Sequence, residues 1–469
     1  MSLKHWVVKP KLELNSKQVF VGSSKDVNIY SYIGNLAEDA TRKEAEVRLN
    51  LEKEQVVAIV GKRGSGKSFT LGVIAESLAV KEEKTKIGGK SSNKAAILFD
   101  PLDIYWTTTL PVKDSDNATV AANYKLAKLK NLTGLSFNTK VIIPGSQNKR
   151  PTDPDWFNTL EISVTELSDN DWELLLDSNI NTDPVSQLVL EAIRLVSTIG
   201  YTLQNDQTVQ AKPNYSIDDL VDAADSRDLE GFFQPQTIRA AKRKLIALNR
   251  IGLFTTESTP ITNVIKPNML TIVMLNRLPE SYRQVLMALI IRKIIDSRSK
   301  ASFIEKRIVF DSNLTNDEKE EFKNNLAEEV PKTTILIDEV QNFADPSSKS
   351  EVKEVLIKLV KEGRNSGLSV IIATQQPSAI DKKILSQVET FIAHKLVTES
   401  DIRSLGENLK SQIFEVAKHG GHDMGFPALI RNLGQGQCLI SSSESNLSYN
   451  RTMIIQIRPR ATVHGGAEV

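Results

Sequence analysis

One cysteine, Cys438, among 469 residues leaves no partner for an intramolecular disulfide, and such a chain reads as one made for a reducing, cytoplasmic compartment. Long hydrophobic runs are missing too. No stretch of about 18 apolar residues occurs, and the opening MSLKHWVVKPKLELN holds no continuous apolar segment, so neither a membrane span nor a secretory leader is expected. Charge of one sign is also absent: 59 Lys and Arg stand against 58 Asp and Glu. With no global positive field, any polyanion must be gripped locally, in a groove or a pore. No internal repeat is found.

What is present is ordinary globular material, 40% hydrophobic and 25% charged, long enough for about three domains or one large domain with insertions. Residues 1–50 carry short alternating runs, QVFVG and DVNIYSYIG, which predict a short β-rich module. An apolar strand follows at Gln55–Val60, then the turn GKRGSGK and the helical SFTLGVIAESLAV; AAILFD is a second strand. From about 110 to 260 the pattern turns mainly helical, clearest in VSQLVLEAIRLVSTIG and TIRAAKRKLIALNRIG. Strands return at Met269–Leu275, Thr333–Asp338, Leu368–Thr374 and Phe391–Val397. Between the second and third of these, Val352, Val355, Leu356, Leu359 and Val360 make one helical stripe, with Ser348 and Glu351 as a capping box. Nearly continuous apolar strands alternating with helices predict an α/β fold with a mainly parallel sheet covered on both faces. The expected division is 1–50 as the β module, 51–150 and 263–435 as two parts of one core, 151–262 as a helical insertion, and 436–469 as C-terminal strands and tail.

GKRGSGKS, Gly61–Ser68, matches G-x-x-x-x-G-K-[ST] between a strand and a helix. Successive backbone N–H groups and the helix N-terminus there form an anion hole, and glycines let the chain bend around phosphates. Gly61, Arg63, Gly64, Ser65, Gly66, Lys67, Ser68 and Phe69 are the expected nucleotide contacts. Lys67 is expected to reach the β and γ phosphates of ATP, and the Ser68 hydroxyl to hold Mg²⁺. The strand TTILIDE ends in Asp338, placed for the Mg²⁺ shell, and Glu339, a general base for water. The strand LSVIIAT ends in Gln375 and Gln376, where open α/β sheets put ligand contacts. Arg364 follows a helix; it is either a cation on that helix's dipole or a charge offered to a neighbouring subunit's γ-phosphate.

Other short patterns point elsewhere less well. LGQGQ (Leu433–Gln437) is a turn and strand, and no N-K-x-D segment supports guanine selectivity. Helix 236–250, with Arg239, Lys242, Arg243, Lys244 and Arg250, is either a solvated face or a nucleic-acid contact. GSQNKRP (Gly145–Pro151) is a candidate DNA loop.

The order of these motifs resembles the HerA branch of the FtsK–HerA superfamily, through VAIVGKRGSGKS, AILFDPLDIYW, TILIDEVQNFA, GRNSGLSVIIATQQPSAIDKKILSQVETFIAHKL and RPRATVHGG. The resemblance implies a RecA-like P-loop core, with Arg364 acting in trans as the finger and Gln375 as the sensor. It further implies a homo-hexamer that hydrolyses ATP between subunits and moves double-stranded DNA through a central channel. A partner effector, a nuclease or a sirtuin-like protein, is implied as well, in DNA end processing or antiviral defence. Residues 1–50 are shorter than the family's usual N-terminal β-barrel, so a reduced barrel is expected. Arg63 stands where threonine is common, and Asp103 and Ile104 replace Gly-Glu. The alternative is an ATP-binding ring scaffold that regulates a partner without translocation.

Overall fold

Thirteen strands join in one sheet in the computed structural model, which describes residues 6–14, 16–42, 44–82, 85–88, 93–347, 350–414, 416–419 and 422–466. The centre is built from runs whose every residue is buried: Val56–Val60, Ala95–Asp100, Leu270–Met274, Thr333–Ile337 and Leu368–Thr374. β-Branched residues with no polar alternation suit strands covered on both faces. Across the sheet the order is Thr390–Ala393, Val56–Val60, Leu368–Thr374, Thr333–Ile337, Ala95–Asp100, Leu270–Met274, Thr139–Pro144, Asn158–Leu160. All of these pair in parallel. One parallel strand, Leu368–Thr374, therefore separates the strand before the glycine loop from the one ending at Asp338. This is the RecA-like arrangement, and it brings Gly61, Asp100, Asp338 and Gln375 to the carboxyl ends of neighbouring strands.

On the other side of Thr390–Ala393 the pairing turns antiparallel through Gln437–Ser442, Met453–Ile457, Tyr30–Leu36 and Glu46–Asn50, with Gln18–Val21 at the edge. The strands Gln18–Val21, Tyr30–Leu36 and Glu46–Asn50 thus extend the central sheet instead of closing into a reduced barrel, and Val7–Lys9 pairs separately with Val416–His419. Two C-terminal strands supply the junction: Ile455 and Ile457 pair with Leu36 and Gly34, and a Cβ at Gly34 would lie 2.1 Å from the Gln456 carbonyl oxygen.

The segment read as mainly helical also holds a sheet strand, Thr139–Pro144, whose apolar run Val141–Ile143 is too short to show a period. The helices Pro184–Arg194, Ile217–Ala224 and Pro235–Asn249 pack together through Leu188, Leu220, Ala223 and Leu245. On the last of them Lys242 pairs with Asp225 at 2.5 Å and Lys244 donates to the Leu176 carbonyl, whereas Arg239, Arg243 and Arg250 stay exposed. Gly145–Pro151 is folded down rather than free: Asn148 donates to the Pro144 carbonyl and Lys149 to that of Phe157. The predicted stripe lies on helix Glu351–Glu362, whose N-cap residue is Ser350; Ser348 lies outside the described residues. The helix Glu280–Phe310 buries Leu286, Ile290 and Ile294 in the same core as Ala58 and Ile335 of the sheet. Among the described residues, no helix is long and apolar enough to cross a membrane. Cys438 is buried, as expected from its strand.

A charged joint ties the chain's end to the helix that follows the glycine loop, Lys67–Ala79. Glu76 is buried and bonds Arg458 at 2.7 Å and Arg460 at 2.9 Å. A Cβ at Gly72 would come within 2.4 Å of the Arg460 guanidinium, so the helix is notched there to admit it. Burial pushes the Glu76 carboxyl up, but the charges of Arg458 and Arg460 outweigh this and hold it below its ordinary value. Its contribution is complete above the unfolded carboxylate value and is lost as pH falls through the lower folded one. Removing one member leaves buried charge unpaired. Glu76→Ala is expected to cost about 3–5 kcal/mol, read as a lower urea midpoint at pH 7, and an unchanged midpoint would contradict the joint.

Candidate nucleotide site

The helix Lys67–Ala79 begins at Gly66, whose φ of 113° only glycine adopts without strain. Gly64 has φ 75° and no atom within 4 Å of a Cβ position, so the loop opens outward there. Gly61 is needed for space instead, because a Cβ would lie 2.5 Å from Ser65 Oγ and 2.7 Å from His394 Cβ. Ser65 turns its hydroxyl inward to the Lys62 carbonyl at 2.7 Å. Arg63 is exposed on the loop. Phe69, in the first turn of the helix, meets His464 edge-on with ring centroids 5.4 Å apart.

Five of the expected residues converge. Lys67 Nζ lies 2.5 Å from Asp338 Oδ1 and 3.0 Å from Glu339 Oε1. Ser68 Oγ donates to Asp338 Oδ2 at 3.1 Å. Gln375 Nε2 donates to Glu339 Oε1 at 2.5 Å. All but Ser68 and Gln375 are at least nine-tenths buried. Glu339 has φ 51°, in the left-handed region; a non-glycine residue there carries strain, and here it turns the carboxylate back over the loop.

Arg364 is elsewhere. It precedes the strand Leu368–Thr374 whose far end carries Gln375, and seven extended residues span more than about 20 Å. The side chain is 48% exposed and pairs with Glu389 at 2.6 Å. It cannot reach the Lys67 cluster of its own chain.

Several members of the site were not legible in the sequence. Gln341 Nε2 donates to Glu339 Oε2 at 2.7 Å, and Thr374 Oγ1 donates to Gln341 Oε1 at 2.8 Å. The buried Tyr105 hydroxyl donates to Asp338 Oδ2 at 2.8 Å. His394 sits under the loop between Thr70 Oγ1 at 2.8 Å and the Gln437 carbonyl at 3.0 Å. Burial pushes it down to about 4, so the ring is neutral and serves as a two-sided spacer. Asp100, buried and bonded to the N–H groups of Leu102 and Tyr105, is pushed up to about 7 by burial. Each lies in a block already singled out, AILFDPLDIYW, TILIDEVQNFA, LSVIIAT or FIAHKL, but only the folded structure shows what it touches. Asp103 serves a structural pair, bonding the guanidinium of Arg277 at 3.1 Å.

The donors fit a nucleotide with Mg²⁺. The glycine cradle presents N–H groups at a helix N-terminus, and Ser68 Oγ beside Asp338 Oδ2 is a pair of hard oxygens, the set that holds Mg²⁺ together with phosphates and water.

Strand order, loop and carboxylate pair define a P-loop ATPase fold of the RecA-like class. The family model for the helicase HerA central domain matches residues 31–294, more than half of the chain, and the chain belongs to that family. A model described as zonular occludens toxin (Zot) matches residues 289–421. Among relatives, the DNA double-strand break repair helicase HerA of Pyrococcus furiosus is 24% identical over 190 residues, 37% of this chain and 34% of that one. Its namesake from Sulfolobus acidocaldarius is 23% identical over 390 residues, 81% of this chain and 61% of the other. The chain thus matches between about a third and three fifths of the length of these relatives. Of solved structures, VirB4 of Thermoanaerobacter pseudethanolicus is similar with a TM-score of 0.49 and 12% identity, covering 93% of this chain and 98% of that one. The plasmid coupling protein TrwB in complex with ADP and Mg²⁺ gives 0.46 and 11%, covering 95% and 97%.

Proposed function

We propose that the protein is a cytoplasmic, Mg²⁺-dependent ATPase that works as a homo-hexameric ring, moving double-stranded DNA through its centre and serving a partner effector, a nuclease or a sirtuin-like protein. The observation that carries the ATPase reading is the convergence of Lys67, Ser68, Asp338, Glu339 and Gln375 at the strand ends. In this reading the loop N–H groups and Lys67 bind the phosphates, and Ser68 and Asp338 hold Mg²⁺. The metal's charge would draw electron density from the γ-phosphoryl oxygens. Glu339 takes a proton from the attacking water, and Gln375, bonded to Glu339, reports the state of the γ-phosphate along its strand. Arg364, unable to serve its own chain, is offered to the next. The near-zero net charge supports DNA contact confined to an inner surface. Antiviral defence or DNA end processing is the setting this activity suits.

The test is phosphate release from ATP with and without linear duplex DNA. DNA-stimulated turnover is expected in the intact protein, and Lys67→Ala is expected to lose nucleotide binding and turnover together. Turnover by Lys67→Ala at the unmodified rate would remove the assignment; turnover that ignores DNA would favour a ring scaffold.

A further inference from the structure

Four donors meet the Asp338 carboxylate, two on each oxygen. Oδ1 accepts from Lys67 Nζ at 2.5 Å and from the Glu339 N–H at 2.9 Å. Oδ2 accepts from Ser68 Oγ at 3.1 Å and from the Tyr105 hydroxyl at 2.8 Å. Under the proposed function, two of these must change partners. Lys67 has to turn to the phosphates, and the Ser68 hydroxyl to the metal. The Glu339 N–H and the Tyr105 hydroxyl have no such second task, and they lie one on each oxygen. A carboxylate pinned at both ends keeps its plane while its other partners exchange.

The position of Tyr105 is itself fixed with respect to the loop helix. Its own N–H donates to Asp100 Oδ2 at 2.8 Å, which closes the turn after the Ala95–Asp100 strand. On the outer side of that turn lies the C-terminal segment: Val112 N–H donates to the Ala461 carbonyl, Val463 N–H to that of Leu110, and Thr107 Oγ1 to that of Val463. Arg460 joins the three parts, bonding Glu76 on the loop helix at 2.9 Å, Thr108 on the tyrosine's turn at 3.0 Å and Thr462 on its own segment at 2.6 Å. The helix carrying Lys67 and Ser68 and the turn carrying Tyr105 are therefore braced to one another through one buried guanidinium.

We propose that Tyr105 is a positioning residue for the metal-binding carboxylate: its hydroxyl holds Asp338 in the orientation that Mg²⁺ requires, and the Arg460 brace holds Tyr105 in register with the P-loop helix. The inference rests on the ATPase reading above. It assigns a role to the Asp-Pro turn whose acidic position in the family's pattern is here Ile104.

The experiment is the binding of a fluorescent ADP analogue, first in EDTA and then across a Mg²⁺ titration, for the intact protein and Tyr105→Phe. Phenylalanine keeps the ring in its buried place and removes only the donor. Affinity in EDTA is expected to stay within about twofold, whereas the Mg²⁺ concentration for half-maximal effect rises about tenfold, the scale on which outer-shell partners tune metal affinity. An unchanged Mg²⁺ midpoint overturns the inference. A purely structural role would instead lower the melting temperature and the EDTA affinity together and leave the midpoint where it was. Should Tyr105→Phe fail to fold, Thr108→Val carries the test, since it cuts the brace on the tyrosine's side and is expected to shift the midpoint in the same direction; no shift there overturns the proposal equally. If the intact protein binds the analogue without any response to Mg²⁺, the ATPase reading fails and the inference falls with it. If the intact protein responds and Tyr105→Phe matches it, the inference fails alone.

Discussion

Glu339→Gln is expected to lower ATP turnover by about a hundred- to ten-thousandfold, the usual contribution of a general base, while nucleotide affinity stays close to that of the intact protein. The amide has the carboxylate's shape. Its oxygen can still accept from Lys67 and from Gln375, which both meet Glu339 Oε1. Its NH2 takes the place of Oε2, so the Gln341 amide that now donates there has to turn over and offer its oxygen, and the left-handed turn and the loop beneath it are kept. What the amide cannot do is accept a proton from water at neutral pH. Steady-state phosphate release together with fluorescent nucleotide binding separates the two effects. Wild-type turnover in Glu339→Gln would take Glu339 out of the chemistry. Joint loss of turnover and binding would mean instead that the carboxylate is needed to build the site.

For Arg364→Ala the expectation is a loss of about a thousandfold or more in turnover, the range over which an arginine in trans acts on phosphoryl transfer, with little change in nucleotide affinity. The local alternative predicts far less. An exposed ion pair such as Arg364 with Glu389, 48% and 31% exposed, is worth at most about 1 kcal/mol, and breaking it touches no group of the Lys67 cluster. The two readings part most clearly on mixing. A head-to-tail ring assembled from equal parts of Arg364→Ala and Glu339→Gln subunits would have both intact residues at about a quarter of its interfaces, so the mixture should recover activity that neither variant shows alone. Native mass measurement establishes that mixed rings form. If they form and no ratio restores turnover, Arg364 belongs to the helix end and not to a neighbour's ATP.

Much of this site could be read from the chain because its parts are local in sequence. A glycine loop needs its glycines within one turn, and Lys67 and Ser68 follow it at fixed spacing as the first residues of a helix. Asp338 and Glu339 are legible for a related reason: a continuous apolar run such as TTILI ends where the sheet ends, and acids there stand at its carboxyl edge. Tyr105 and His394 were hidden because each acts on residues far away in the chain and nothing near them marks the contact. Gln341 lies two residues from Glu339, and only the fold shows that its amide links Glu339 to Thr374. The same holds for Glu76. A glutamate on a helix reads as solvated, and only the buried Arg458 and Arg460, from the far end of the chain, make it part of the core.

The extent of the sheet was the least legible part of the fold. The strands before residue 50 are short, and Gln18–Val21 and Tyr30–Leu36 are buried along most of their length, which suits strands that close on themselves and strands that lie beside a neighbour alike. The choice was made by Met453–Ile457, which offers Tyr30–Leu36 an open antiparallel edge. A similar limit applied to Thr139–Pro144, whose few apolar residues show no period until Leu270–Met274 pairs with them.

By itself the sequence determined the phosphate loop, the acidic strand end and the α/β class, because each rests on spacing within single elements. Which groups share a proton, a charge or a metal oxygen was decided only by tertiary structure, since hydrogen bonds act over about 3 Å and strand order, not chain order, sets what lies that close. Arg364 and Gln375 are the plainest case. Joined by a single strand, they are neighbours in the sequence and stand at opposite ends of the sheet in the folded protein.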